Sequence, residues 1–214
     1  MSFKKLCLFY GFLLLVISIV AASIGLFKVT PLPGGGTLTS RQLFATIDES
    51  VSNITSAPHL SAPHLEMILR AYHSPLVGLG QYIYDEGRRY QIDSDHAMAF
   101  WLHESTLGTR GEATGTFSPG NLRCVKGRPC VDQQRGGYAQ FSSWKDGIDR
   151  WYSLLHFGYV QGDITKPIVG HACTTLEQII HVYAPSSDAN DEQAYVNAVI
   201  DAVTQWRAGK MVIA

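Results

Sequence analysis

Ala99-Phe-Trp-Leu-His-Glu-Ser-Thr-Leu-Gly-Thr-Arg-Gly111 is apolar helical sequence that runs into a glycine-bearing turn, and a carboxylate stands at the junction. Counting back from Glu104, Trp101, Phe100 and Ala97 lie three, four and seven positions away, so the acid projects from the face a helix would bury. Ser94 is placed to cap that helix. Desolvation at the edge of a core disfavours a charged carboxylate, which makes Glu104 a group able to hold a proton near neutral pH and donate it. A surface glutamate at a fraying helix end would share the same spacing, so the neighbourhood has to decide between the two.

On the N-terminal side, Leu65, Ile68, Leu69 and Tyr72 recur at helical spacing, Ser74-Pro75 punctuates, and a second helical run extends from Leu76 to Tyr90. On the C-terminal side three more stripes follow: Trp144, Ile148, Trp151, Tyr152 and Leu155; Leu176, Ile179, Ile180 and Tyr183; and Tyr195, Val199, Ala202, Val203 and Trp206. Pro185 breaks the chain before the last of these, and Asn190 or Asp191 is placed to cap it. The predicted fold class is mainly α.

Between the two helical clusters, Gly108 to Ser143 is rich in Gly, Thr, Ser, Pro, Asn and Arg. Such a long irregular insert, with a short hairpin expected in it, is a place where function tends to reside. Within it Cys124 and Cys130 flank Val-Lys-Gly-Arg-Pro; an oxidising compartment would let them close a small disulfide loop, two free thiols being the alternative. No CxxC or HExxH pattern occurs, so neither a metal nor a cofactor is expected.

Residues 6–27 carry no charge, with Lys4 and Lys5 before them and Lys28 after. At ~1.5 Å per residue such a helix covers about 33 Å, enough to span a hydrocarbon core. Residues 1–28 are therefore expected to anchor the chain in a membrane, with a cleaved signal peptide as the alternative because Val20-Ala21-Ala22 offers small residues at a cleavage point. Either way the remainder is exported, as the N-terminal lysines also indicate. Residues 29–62 read as stalk and linker, with a short helix over Leu38 to Val51 and irregular wrapping over Ser52 to Pro63; a domain over 63–208 and a tail over 209–214 complete the chain. From Val29 onward 14 Lys and Arg face 18 Asp and Glu, a net charge of −4, which argues against a nucleic-acid partner. A monomer is expected.

Three segments taken together resemble the bacterial glucosaminidase domain of family 73 glycoside hydrolases, within the lysozyme-like superfamily. They are Ala99 to Gly111; Ser118-Pro-Gly-Asn-Leu-Arg123; and Tyr138-Ala-Gln-Phe-Ser-Ser-Trp144, with Tyr183-Ala-Pro185, Asp188, Asn190 and Tyr195 resembling the family's closing segment. The resemblance implies a two-lobed helical domain whose substrate is peptidoglycan or a related glycan containing N-acetylglucosamine. It makes Glu104 the proton donor, Ser105 and Asn121 groups that bind substrate or organise the lobe, and Tyr183 a residue facing the reacting sugar. Tyr138, Phe141 and Trp144 would lie near the groove, where aromatic faces stack on sugar rings. Trp144 and Tyr183 also lie on apolar stripes that bury rings in any fold, and His103 reads as structural.

The second carboxylate stays open. Glu112, closest in sequence, is the first choice, with Asp132, Asp146 and Asp149 behind it; a substrate acetamido group can also take the nucleophile's place. Gly137-Tyr-Ala-Gln140 is in addition similar to lytic transglycosylases of the same superfamily, which use one glutamate. A glycan-binding module without catalysis and a membrane-tethered scaffold are the remaining alternatives.

Overall fold

The computed structural model describes residues 51–213. The expected anchor, the stalk and all but the last residue of the helix expected over Leu38 to Val51 lie outside the described residues. Among the described residues, no helix is long and apolar enough to cross a membrane.

The described chain is mainly helical. Helices α1 (Ala62–Ala71), α2 (Gly80–Tyr90) and α3 (Ser94–Ser105) precede the insert. The insert holds α4 (Ala113–Thr116) and an antiparallel pair, β1 (Cys130–Val131) with β2 (Tyr138–Ala139). After it come α5 (Trp144–Ser153), continued by a π-helix over Leu154–Val160, then α6 (Thr165–Val169), α7 (Leu176–Tyr183) and α8 (Glu192–Arg207).

The periodic stripes become the buried faces. In α1, Ala62, Leu65, Ile68 and Leu69 point inward. In α8, Tyr195, Val199, Ala202, Val203 and Trp206 do so. Helix α2 begins at Gly80, four residues later than Leu76: Pro75 and Gly78 (φ 92°) hold the intervening residues in turns. Gly80 then lets the two helices meet, since a Cβ there would lie 2.8 Å from Cβ of Glu66.

Helix α3 is central, packed against α2 and α8. Every residue from Ser94 to Trp101 is buried, the mark of a helix enclosed on all sides. Its cap is Asp93, not Ser94: the Asp93 side chain accepts from the Asp95 N–H, while the Ser94 hydroxyl donates to Ile83 O. Three polar residues at this enclosed end need partners. Arg207 of α8 supplies Nε 2.7 Å from Asp95 and Nη2 3.1 Å from Asp93, His59 pairs with Asp93, and His96 Nδ1 lies 3.0 Å from Asp95. Burial pushes the Asp95 carboxyl up, but His96 and Arg207 outweigh it and hold the group below the usual range. Burial and the Asp95 charge push Asp93 up.

Residues 51–60, read as the end of a linker or wrapping, belong to the packed core. Val51, Ile54 and Leu60 are buried, and Ile54 exchanges backbone bonds with Thr174 (3.0 Å) and Asp93 (2.9 Å).

Candidate active site

The last turn of α3 ends in a left-handed run, with Thr106 (φ 50°), Leu107 (φ 55°) and Gly108 (φ 84°) in succession. Non-glycine residues in this region cost energy and need support. Support comes from Ser105. Its buried hydroxyl accepts the Gly108 N–H (2.8 Å) and donates to Pro119 O (2.7 Å), tying the turn to the insert. From the other side, Ser74 donates to Leu107 O at 2.6 Å. The turn leaves Glu104 on the floor of a cleft of about 470 Å³ between the insert and α7.

One wall is Gly120 to Val125 with Tyr138; the other is Val182 to Pro185 with Asp188 and Asn190; Leu154 and Tyr159 close the end. Asn121, in the left-handed region (φ 47°), donates from Nδ2 to Glu104 O at 2.7 Å. The Tyr183 hydroxyl donates to Gly120 O at 2.7 Å, its ring edge-on to Phe100. Gly120 is obligatory at this spot: a Cβ would fall 2.4 Å from Trp151 Cδ1 and 3.3 Å from the Tyr183 hydroxyl.

The Glu104 carboxylate accepts a 2.7 Å hydrogen bond from Tyr195 of α8. Burial pushes the Glu104 carboxyl above the ordinary glutamate range, and the bonds from Tyr195 and Asn121 with the nearby Arg123 charge only partly counter it. Burial, then the Glu104 charge, holds both Tyr183 and Tyr195 well above a normal phenol, so both remain hydrogen donors. Exposed His103 stacks on the Tyr195 ring with centroids 3.8 Å apart. The result is a half-buried carboxyl group at the cleft whose proton affinity is raised by burial, with the Tyr195 hydroxyl donating to it.

Of the residues expected at the site, Glu104, Asn121, Tyr138 and Tyr183 line this cleft. Ser105 lies beneath it as an organiser of the turn. Phe141 and Trp144 do not line it. Phe141 is 3 % exposed, with Arg128 over its ring. Trp144 packs edge-on to Phe117 and against Gly108, where a Cβ would come within 3.0 Å of its ring. Both aromatics are spent on folding the insert against α5.

Glu112 is absent from the lining too. Its carboxylate pairs with Arg135, which also takes Asp132, while Asp146 pairs with Arg128 and Asp149 with Arg89. The other acidic residue among those lining this cleft is Asp188. Sequence reading placed Asp188 and Tyr195 in the closing segment but gave neither a chemical role. The signal for Tyr195 was its hydroxyl, since a tyrosine in an otherwise apolar stripe brings a polar tip that needs a partner.

Cys124 and Cys130 form the disulfide (Cα to Cα 5.3 Å), with Cys124 on the cleft wall and Cys173 buried as a free thiol. Gly137 makes room for it: a Cβ there would meet both sulfurs within 3.0 Å. His59, Asp93 and Asp95 offer ligand atoms within 4.8 Å of one another, but the Arg207 guanidinium already stands among them as the cation.

No protein-family model matches the chain, and no curated protein matches it.

Proposed function

We propose that the chain is a glycosidase of the lysozyme-like kind, resembling the family 73 glucosaminidases, that cuts cell-wall glycan. One observation carries this reading: Glu104 sits half-buried in the cleft, its carboxyl pushed above the ordinary glutamate range by desolvation and bonded by Tyr195 at 2.7 Å. A group that is an acid at neutral pH and open to a cleft is what cleavage of a glycosidic bond requires. The helical body and the insert act as two lobes, residues 6–27 hold the enzyme at its membrane, and the substrate is peptidoglycan.

Glu104 donates its proton to the bridging oxygen as that bond breaks. Positive charge develops on the sugar whose anomeric carbon loses that oxygen, and the other sugar departs with the proton. Asp188, in the same cleft lining, steadies that charge or takes a proton from the attacking water, leaving Glu104 to be reprotonated from solvent. The cleft is apolar at Leu122, Leu154 and Val182 and aromatic at Tyr138 and Tyr159, a lining suited to the faces of sugar rings.

A second reading is favoured by the capture of Glu112 and Asp132 by Arg135. If Asp188 is dispensable, the sugar's own hydroxyl closes the ring and the enzyme is a lytic transglycosylase. Digestion of purified peptidoglycan followed by mass spectrometry separates the two: reducing N-acetylglucosamine ends mark the glucosaminidase, anhydro-muramic ends the transglycosylase. No release by the wild-type chain, or full release by Glu104→Gln, refutes both.

A further inference from the structure

Three of the four arginines in the insert, Arg123, Arg128 and Arg135, are treated differently by the fold. Arg128 gives both terminal nitrogens to Asp146, at 2.5 and 2.6 Å. Arg135 takes Asp132 and Glu112 together. Arg123 pairs with no carboxylate among the described residues, and it is the cation of the cleft lining.

Its position is nonetheless fixed. The guanidinium lies over the Tyr138 ring, 4.8 Å from the centroid, and Nη1 donates to Arg135 O at 3.1 Å. A backbone bridge joins Arg123 to Tyr138. Gly136 (φ 93°) makes the space, since a Cβ there would lie 2.7 Å from Nη1. A guanidinium carries five N–H donors in a rigid fork, so one bond to a carbonyl leaves most of that fork, and all of its charge, for a ligand.

Placing this charge beside a proton donor carries a cost. A cation near Glu104 favours the ionised carboxylate, which opposes the chemistry. An anion bound to Arg123 removes the conflict, because it cancels the pull on the Glu104 proton once substrate has arrived.

We propose, on the reading of this cleft as a glycan-cleaving site, that Arg123 is the specificity-determining residue: it pairs with a carboxylate borne by the glycan beside the bond to be cut. The substrate is then an acidic amino-sugar polymer, and neutral polymers of the same sugars are disfavoured. The carboxylate comes either from the lactyl group of the sugar or from an attached peptide.

The test is binding to the full chain carrying Glu104→Gln, so that the ligand survives, read by calorimetry. Three probes are used: wall glycan strands freed of peptide, the same strands with peptide, and chitohexaose. With Arg123 present, at least one acidic probe binds about tenfold or more tighter than chitohexaose, the scale of a charge-assisted hydrogen bond. Arg123→Gln removes the preference, and Arg123→Lys keeps part of it. Comparing one preparation on two ligands cancels any unfolded fraction. Preference for peptide-free strands identifies the lactyl carboxylate; preference confined to peptide-bearing strands identifies the peptide. Equal affinity for acidic and neutral probes, no binding of either acidic probe, or a preference that survives Arg123→Gln overturns the proposal. Cleavage by the wild-type chain is scored separately: selective binding without cleavage refutes the enzyme and leaves the selection standing, and cleavage without selectivity does the reverse.

Discussion

Replacing Tyr195 with Phe removes one hydroxyl and leaves the ring against Phe100 and His103. That hydroxyl donates to Glu104 at 2.7 Å. A hydrogen bond to a charged acceptor contributes about 1.5–3 kcal/mol and one to a neutral acceptor about 0.5–1.5. The ionised carboxylate therefore loses more than the protonated one, by about 1–1.5 kcal/mol, roughly one pH unit. The sign follows from the proposed role. With Glu104 working as an acid, activity falls as pH rises through its titration; weakening the ionised form moves that alkaline limb to higher pH. Stability shifts in the same sense: Tyr195→Phe costs most above the Glu104 titration, where a buried charge has lost its partner, and least below it. The assay is the pH profile of fragment release, paired with NMR titration of the Glu104 side-chain carbon assigned by Glu104→Gln. An alkaline limb that stays put or moves to lower pH refutes the claim that Tyr195 tunes this acid.

Asp188→Asn is expected to lower hydrolysis by at least about tenfold if Asp188 serves the water step, with folding unchanged by circular dichroism; unchanged hydrolysis removes it from the mechanism. Gly120→Ala drives a methyl into Trp151, and such overpacking costs about 1–3 kcal/mol, read as a lower unfolding midpoint together with lost activity as Asn121 shifts. Phe141→Ala is expected to cost about 3–5 kcal/mol, as for other buried aromatics, without changing affinity for glycan in the fraction that folds; a selective loss of affinity restores Phe141 to the groove. Arg207→Met strands two buried carboxylates at the start of α3, and breaking such a cluster costs about 3–5 kcal/mol, measured by urea unfolding. The penalty should shrink in acid, because Asp95 contributes stability above the usual carboxylate range and loses it as pH falls through its lowered titration.

The amphipathic helices were readable because each carries its burial in its own spacing. Helix α3 was only half readable. Phe100 and Trp101 announced an inner face, but Ser94, Asp95 and His96 look like solvent-facing sequence until Arg207 and His59 are brought to them. The same division runs through the site. Glu104, Asn121, Tyr138 and Tyr183 could be singled out because each lies in a short segment that carries the resemblance, and all four line the same cleft. The Tyr195 bond spans 91 residues, beyond any local pattern. Glu112 and Asp132 looked available as acids because sequence does not show that Arg135 reaches them both, and the aromatics of 138–144 divided by which ones the core claimed first.

Helix α8 touches α3 at both of its ends: Tyr195, near the start of α8, holds Glu104 at the end of α3, and Arg207, at the far end of α8, holds Asp93 and Asp95 at the start. The two helices run antiparallel and are pinned like a plank nailed twice. Sliding one along the other in either direction breaks a pin, and the cost of exposing a stranded buried charge rises at once. The pair thus behaves as one rigid body, with Glu104 set in it. The insert is fastened to that body at the same end, by Ser105 to Pro119 O and Asn121 to Glu104 O, so the acid, its tyrosine and the neighbouring wall of the cleft keep a common frame.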